Sequence, residues 1–375
     1  MSKSTESLTI LLPQIRGIIQ SARNAAARAV NTLQVLTNFQ IGRLIVENEQ
    51  QGSERAEYGK ELVKNLAKSL TEEFGRGFSK PNLEYMRRFY LLYSGRIAGI
   101  AQTPSGQLPA GEIPQTVSGK FEPDPIGQTL SGQFTADTRP FALSWSHYVL
   151  LIGIENPAER AFYEIEAEKS GWSVRELRRH FDSSLYERIA LSREPERLPE
   201  LSSQGDHPAS PRDILKNPYV LEFLGLDEKA AYSESDLESA IIDKLEHFLL
   251  ELGKGFLFEA RQKRFTFEDD HFFVDLVFYN RLLRCYVLID LKIGKLTHQD
   301  LGQMQMYVNY FDRHVKLPDE HPTVGIILCK KKNDALVEIT LPENAAIYAS
   351  EYKLYLPSKE ELRQQLLDWE TEPQP

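Results

Sequence analysis

The sequence has little cysteine, no long apolar run and no excess of positive charge. Cys285 and Cys329 are the two cysteines among 375 residues, and both fall in stretches that predict core strands. A disulfide framework is therefore not expected, and a reducing, cytoplasmic location is. No apolar stretch reaches membrane-spanning length and the start shows no signal pattern, so we expect no membrane partner.

The overall charge limits how the chain can meet nucleic acid. The formal net charge is −10 at neutral pH. A protein of this charge is not a generally basic nucleic-acid binder, so any DNA contact must use local basic patches or divalent cations. The length is sufficient for two domains, each with its own core.

Two polar segments divide the chain. Residues 94–140 are rich in Gly, Pro, Ser and Gln and contain a motif that recurs every thirteen residues, at 103–108, 116–121 and 129–134. This composition is too poor in apolar residues for a core and predicts a disordered insertion. A second polar segment at 194–210 predicts a linker. We therefore expect a domain over 1–193 and another over 211–375.

The N-terminal half predicts only helices. A long helix is expected from Gln14 to about Glu49, following Pro13, and a second over 58–74. Two segments then show a helix, a turn and a second helix that opens on a serine, Ser79 in one and Ser173 in the other. Such units can place their second helix on DNA. The arginines on these second helices are Arg87, Arg88, Arg175, Arg178 and Arg179. They are candidate DNA contacts, or solvated charges of ordinary bundle helices.

Two acids and a lysine fall on neighbouring strands of the C-terminal half. Asp275 lies within one apolar run, and Asp290 ends the next one, two residues before Lys292. Pairing about a short turn at 280–284 brings Asp275 opposite the end of the second strand, and the two-residue period places Asp290 and Lys292 on one face. Adjacent carboxylates repel each other unless a cation joins them, and hard oxygen ligands suit Mg²⁺ or Mn²⁺. The pattern indicates a metal-dependent phosphodiesterase site in which Lys292 positions water or offsets negative charge.

The alternative for these residues is structural. An Asp-x-Lys triplet occurs by chance in many proteins, and a carboxylate at a strand end is usually solvated. Asp275 is harder to explain in this way, because an unpaired charge inside an apolar strand is costly.

The elements around the hairpin follow the order α-β-β-β-α-β, which is that of the PD-(D/E)XK nuclease core. An amphipathic helix is expected over 235–252, and glycines 253 and 255 separate it from a strand. The expected strands are 256–267, 272–279, 285–291, 323–329 and 346–350, and the later helices are 298–313 and 358–369.

Residues 211–369 resemble the nuclease domain of the YhcG-type family of bacterial proteins. The matching segments are 217–226, 249–256, the Asp275 hairpin, and Gly302-Gln303 with Tyr307. The N-terminal part resembles the partner domain of that family, through 75–79, 145–148 and Trp172-Ser173. The resemblance covers most of the chain outside 94–140. It implies an α+β protein, with an all-helical N-terminal domain carrying helix-turn-helix-like units before an αβββαβ PD-(D/E)XK restriction-endonuclease-like domain.

The resemblance also implies further site residues. In related Holliday-junction-resolvase-like nucleases a glutamate of the first core helix joins the metal shell, and Glu238 matches it by position, with Glu246 as a second choice. The alternative is that Glu238 closes a capping box with Ser235. Gln303 resembles the glutamine that some members place beside the scissile phosphate, whereas Tyr307 is expected to pack.

The implied function is hydrolysis of DNA phosphodiester bonds with Mg²⁺ or Mn²⁺, in DNA processing, recombination, repair or defence against foreign DNA. A homodimer is favoured. Asp290 stands where the superfamily more often has glutamate, and its shorter side chain draws the carboxylate oxygens inward. The alternative is therefore a nuclease fold that has lost activity and binds DNA or protein.

Overall fold

A computed structural model describes residues 3–51, 56–97, 140–193, 197–226, 232–267, 269–342 and 344–371. The insertion expected at 94–140 lies outside these residues, except for residue 140 and a 3-10 turn at Ser94–Ile97. Within the described ranges, no helix has both the length and the apolar character needed to cross a membrane. The chain divides into two compact units, Met1–Arg160 and Ala161–Pro375.

The first unit is helical. Its helices are α1 (Lys3–Gln51), α2 (Ala56–Phe74), α3 (Lys80–Tyr93), α4 (Trp145–Leu151) and the start of α5 (Pro157–Ser170). The long first helix begins before the position expected for it, and Pro13 lies inside α1. The helix was expected to start after Pro13 because proline is favoured in a first helical turn. Instead, α1 continues through Pro13, which lacks the N–H group for one backbone hydrogen bond. Aromatic rings pack in its core, where the ring centres of Phe39, Phe89 and Phe141 lie within 6 Å of one another.

Both helix–turn–helix segments have the expected elements. In the first, α2 is followed by a 3-10 turn at Arg76–Phe78 and by α3, with Ser79 at the N-cap. In the second, α5 is followed by α6 (Val174–Asp182), whose N-cap Ser173 forms a capping box with Glu176. The capping box explains where α6 begins, whereas Ser79 caps α3 without a side-chain hydrogen bond. A DNA-binding role for both second helices remains a prediction.

The second unit contains a six-stranded sheet. Its remaining elements are α7 (Leu185–Ala190), α8 (Leu198–Gln204), β1 (Tyr219–Val220), α9 (Glu234–Asp243), α10 (Leu245–Leu252), β2 (Phe256–Phe267), β3 (Asp270–Asn280), β4 (Cys285–Lys295), α11 (His298–His314), β5 (Val324–Lys331), α12 (Asp334–Thr340), β6 (Ile347–Lys353) and α13 (Lys359–Thr371). The strand order is β1-β6-β5-β4-β3-β2. β2, β3 and β4 are antiparallel neighbours, whereas β4, β5, β6 and β1 are parallel.

Helices cover both faces of this sheet. Leu237 and Ile241 of α9, with Phe248 of α10, pack in one buried cluster with residues of β3, β4 and β5. Met304 and Tyr307 of α11 belong to a second buried cluster with other residues of the same strands. Side chains alternate between the faces of a strand, so the central strands have two apolar faces. Both cysteines are buried and free.

Several expectations about these elements need correction. The single helix expected over 235–252 is two helices, α9 and α10, which meet at Lys244 with φ −117° and ψ 29°. β1 and α12 were not expected, because two paired residues and a seven-residue helix leave little periodic signal. Part of the segment 194–210, expected as a linker, is structured: it contains α8, in which Leu201 is buried.

A buried ion pair joins α7 to the sheet domain. Arg188 of α7 is 0% exposed and donates to both carboxylate oxygens of Glu251 on α10. The same carboxylate accepts the backbone N–H of Val220 at 2.9 Å. Burial alone would raise the pKa of Glu251, but the charges of Arg188 and Lys216 more than offset it, so this pKa lies below its usual range. α7 therefore contributes a side chain to the interior of the sheet domain.

Candidate active site

The site is built on three adjacent strands. Leu276 of β3 pairs with Ile289 of β4, so the next step along both strands sets Asp275 beside Asp290. On the other side, residues 261 and 263 of β2 pair with residues 276 and 274, which leaves Gln262 across from Asp275. Side chains opposite each other in antiparallel strands are close neighbours. Gln262, Asp275 and Asp290 therefore form one row across the sheet.

The hairpin that sets this register has the turn expected at 280–284. The Asn280 side-chain oxygen accepts the backbone N–H groups of Leu282 at 3.0 Å and Leu283 at 3.1 Å. These bonds close a short turn between β3 and β4 and replace ladder bonds that the turn cannot form. The predicted convergence of Asp275 and Asp290 across one hairpin follows from this local geometry.

Asp290 is a buried carboxylate with a basic neighbour, Lys292, and an acidic neighbour, Asp275. It is 2% exposed, and its Oδ2 lies 2.9 Å from Lys292 Nζ although the alignment is not that of a hydrogen bond. Burial raises the pKa of Asp290 to about 7, the charge of Asp275 adds to this, and Lys292 opposes it. The surroundings of Asp290 therefore disfavour its charged form even with Lys292 beside it.

Lys292 lies near three acids, Asp290, Glu234 and Asp275. Its Nζ contacts Asp290 and also approaches Glu234 Oε2 of α9 at 3.6 Å. Burial alone would lower the pKa of Lys292, but the carboxylates, Asp290 first, more than offset it, so the pKa lies above its usual range. The side chain is therefore a held ammonium group and not a proton acceptor.

Asp275 is oriented by two donors. Its Oδ2 accepts the backbone N–H of Leu291 at 2.8 Å, and its Oδ1 accepts Gln262 Nε2 at 3.0 Å. The Leu291 bond takes the place of a ladder bond where β3 and β4 separate. The carboxylate is thus fixed toward β4, and its partial exposure leaves it open to solvent.

Glu238 reaches the same cluster from α9. It is 4% exposed, and its oxygens accept Arg261 Nε at 2.9 Å and Gln262 Nε2 at 2.5 Å. The capping-box alternative for Glu238 is wrong, because the N-cap of α9 is Ser233, two residues before Ser235, and its capping box joins Ser233 to Asp236. Glu246, the second choice, is exposed on α10. Of the two, Glu238 is the acid that the fold connects to Asp275.

The residues fit a divalent cation. A buried carboxylate oxygen without a hydrogen bond, next to a second carboxylate, is an oxygen-rich position of the kind that Mg²⁺ and Mn²⁺ occupy. Among the described residues, no group of three or more His, Cys, Asp or Glu side chains has the arrangement of a complete metal site. A cation here would thus have Asp275 and Asp290 as its protein ligands, which is a usual number for Mg²⁺ that also binds substrate phosphate.

Gln303 and Tyr307 lie on α11 beside the row. Gln303 Nε2 donates to the Tyr307 hydroxyl, which in turn donates to the carbonyl oxygen of Phe273 at 2.8 Å. Tyr307 is buried, in keeping with the expected packing role, and its raised pKa comes from burial first, with Asp290 and Asp275 adding to it. Gln303 is partly exposed, so its carbonyl oxygen and second N–H remain available on this side of the site.

The five candidate DNA-binding arginines differ in their surroundings. In the first unit, Arg87 pairs with Glu49 at 2.7 Å, whereas Arg88 is exposed. In the second unit, Arg179 pairs with Glu222 at 3.5 Å and lies 5.2 Å from the ring centre of Phe223. Arg175 and Arg178 of α6 are exposed. The exposed members of the set are the better candidates for phosphate contacts, because the others already have partners within the fold.

Gln262 is the site residue that sequence reasoning missed. It lies in an exposed part of β2 and has a left-handed φ of 44°. The expected strand included it, but the register of β2 against β3 shifts between Phe258 and Ala260, which a strand pattern does not reveal. Counting back across the β2–β3 connection from Phe272 opposite Phe265 would have placed Gln262 opposite Asp275.

Two protein families match this chain. Residues 14–188 match the DUF1016 N-terminal domain, and residues 212–367 match the YhcG PDDEXK nuclease domain. A curated relative, the Escherichia coli (strain K12) protein YhcG, which is named as a candidate nuclease, is 42% identical over 362 residues, covering 93% of this chain and 91% of that protein.

Two solved structures are similar over a smaller part of the chain. A repair endonuclease from Pyrococcus abyssi is 20% identical and has a TM-score of 0.23, covering 34% of this chain and 50% of that chain. EndoMS in complex with double-stranded DNA is 18% identical and has a TM-score of 0.24, covering 35% of this chain and 48% of that chain. Scores this low carry no weight for the fold or the substrate.

Proposed function

The chain belongs to the YhcG family of PD-(D/E)XK nucleases, and from that premise we propose that it hydrolyses DNA phosphodiester bonds with Mg²⁺ or Mn²⁺ at the Asp275–Asp290–Lys292 cluster. The observation that carries the proposal is the juxtaposition of Asp275 and buried Asp290 with the ammonium group of Lys292 2.9 Å away. A solvated carboxylate at a strand end, or a simple ion pair, would not require two acids and a lysine to lie together.

Each side chain has a role that its surroundings support. A bound Mg²⁺ supplies a polarised phosphate and a more acidic water molecule. Asp275 and Asp290 hold the cation, and the backbone N–H of Leu291 keeps Asp275 turned toward it. Lys292, held as an ammonium group, donates to the phosphate or to the attacking water. In hydrolysis the water oxygen bonds to phosphorus, the ester P–O bond breaks, and the leaving oxygen takes up a proton.

DNA is the proposed substrate, with a role in DNA processing, repair, recombination or defence against foreign DNA. The net charge of −10 means that contacts to phosphate must be local. Exposed arginines of the helical segments, Arg88, Arg175 and Arg178, are the proposed contacts. The homodimer expected from the family resemblance stays a prediction, which sedimentation of the full chain would test.

A cleavage assay tests the proposal. Linear, nicked, single-stranded and branched DNA, with single-stranded RNA as a further substrate, are incubated with the full chain and Mg²⁺ or Mn²⁺. We expect cleavage of DNA that EDTA abolishes, and loss of cleavage in Asp275→Asn and Lys292→Ala with an unchanged circular dichroism spectrum. Asp319→Asn, which alters an exposed carboxylate paired with Arg284, is the control and should cut normally.

Four results would contradict the proposal. Cleavage that survives EDTA would show that the reaction needs no metal. Normal cleavage by either site variant would show that the substituted residue is not part of the active site. Preferred cleavage of RNA would change the substrate. DNA binding without cleavage under any condition would favour the alternative, a nuclease fold retained for binding.

A further inference from the structure

The geometry points to Gln262 as a positioning residue for the metal site: we infer that its side-chain amide, bonded to Glu238 of α9, orients Asp275 of β3 toward the cation that Asp275 and Asp290 would hold. The inference rests on the proposed function, since it assigns a further residue to the same site. Glu238 and Asp275 come from different layers of the fold, and Gln262 is the side chain that contacts both.

The hydrogen bonds are directional. Gln262 Nε2 donates to Glu238 Oε2 at 2.5 Å and to Asp275 Oδ1 at 3.0 Å. An amide nitrogen has two N–H groups, so it can serve both acceptors at once. These two carboxylates repel each other, and a neutral amide holds them near one another without adding a positive charge that would compete with a cation.

Arg261 sets the other oxygen of Glu238. Its Nε donates to Glu238 Oε1 at 2.9 Å, while its side chain is 45% exposed and that of Glu238 is 5% exposed. The two neighbouring residues of β2 thus fix both oxygens of one buried carboxylate. Without Gln262, Glu238 would keep the bond from Arg261, whereas Asp275 would lose one of its two donors.

The backbone of Gln262 is adapted to this position. Its φ of 44° is in the left-handed region, which side chains other than glycine rarely adopt. Such strain persists where surrounding structure requires it and is common at functional sites. Glycine would be the less strained residue at this backbone position, but it would provide no donor to the two acids.

Mn²⁺ binding to the full chain, measured by electron paramagnetic resonance and calorimetry, tests the inference without relying on turnover. Loss of a residue that orients metal ligands typically weakens affinity by about 10–100-fold, and we expect that range for Gln262→Leu. Gln262→Gly should show the same weakening and at least wild-type thermal stability, because it relieves the left-handed φ. Thr266→Ala is the matched control on β2: it removes a 3.1 Å contact to His271 and should bind Mn²⁺ like the wild type.

A second comparison separates positioning from general damage. If Gln262 acts through Glu238, then Gln262→Leu should cost little further affinity in a Glu238→Gln background. Equal affinity of the wild type and Gln262→Leu, tighter binding by Gln262→Leu, or full additivity with Glu238→Gln would overturn the inference alone. Absence of Mn²⁺ binding by the wild type would overturn the proposed metal dependence and this inference with it.

Discussion

Loss of the buried Arg188 charge should strongly destabilise the second unit. Arg188→Met keeps most of the side-chain volume but leaves Glu251 a buried carboxylate without its main counter-charge. The carbonyl oxygens of Pro218 and Ser183 also lose donors at 3.1 Å and 2.8 Å. Removing one partner of a buried ion pair costs about 3–5 kcal/mol, and we expect the free energy of unfolding to fall by about that amount.

Urea unfolding followed by circular dichroism measures this loss. With an m-value of about 2–3 kcal/mol per molar urea, a loss of about 3 kcal/mol lowers the midpoint by about 1 M or more. Lys263→Met is the matched control, because it breaks a 3.2 Å ion pair with Glu259 whose side chains are 43% and 34% exposed. An exposed pair of this kind contributes at most about 1 kcal/mol.

The double variant Arg188→Met, Glu251→Leu identifies the cause. If the unpaired buried charge is what destabilises Arg188→Met, removing that charge as well should recover part of the loss, with a coupling of about 0.5–3 kcal/mol between the two sites. A midpoint for Arg188→Met equal to that of Lys263→Met would refute the reasoning, as would strictly additive costs in the double variant.

Two further predictions concern acid stability and DNA affinity. Burial, with the Lys216 charge adding to it, lowers the pKa of His180 to about 3, so only the unfolded chain takes up this proton as the pH falls below about 6.5. The free energy of unfolding should therefore drop by about 1.4 kcal/mol between about pH 7.5 and 5.5. His180→Phe keeps the stacking on Trp172 and should remove that part of the drop. If the pH profile of the variant equals that of the wild type, His180 is not the group responsible. Changing Arg175 and Arg178 together to Ala should weaken DNA binding and flatten its dependence on salt by up to about two phosphate contacts, and titrations at several salt concentrations that match the wild type would exclude both side chains from the interface.

The catalytic cluster was predictable because its geometry is local. Asp275, Asp290 and Lys292 are joined by one short hairpin, and the two-residue period of a strand decides which of them share a face. The strands β2 to β6 were predictable for a similar reason, since apolar runs bounded by glycines or turns mark them, whereas the two residues of β1 leave no such run. β2 begins and ends at the residues expected, with left-handed glycines 253 and 255 before it.

Other features depend on contacts that no pattern records. Gln262 reaches both acids with a left-handed backbone, which is not visible in an alternation of apolar residues. The sequence also does not show which arginines of a basic helix form ion pairs within the fold. Arg179 differs from its neighbour Arg178 only in that Glu222 and Phe223, more than forty residues later, lie beside it.

The boundary between the two family domains does not coincide with a boundary between two hydrophobic cores. The first match ends at residue 188 and the second begins at residue 212, whereas the compact second unit begins at Ala161. Arg188, the last residue of the first match, is fully buried and its guanidinium is paired with Glu251 of the second. An excised nuclease domain that begins at residue 212 would expose this carboxylate and the backbone of β1 that it binds. Because Glu251 also binds the backbone of β1, which pairs with β6 at the edge of the sheet, the helix that carries Arg188 supports the nuclease fold.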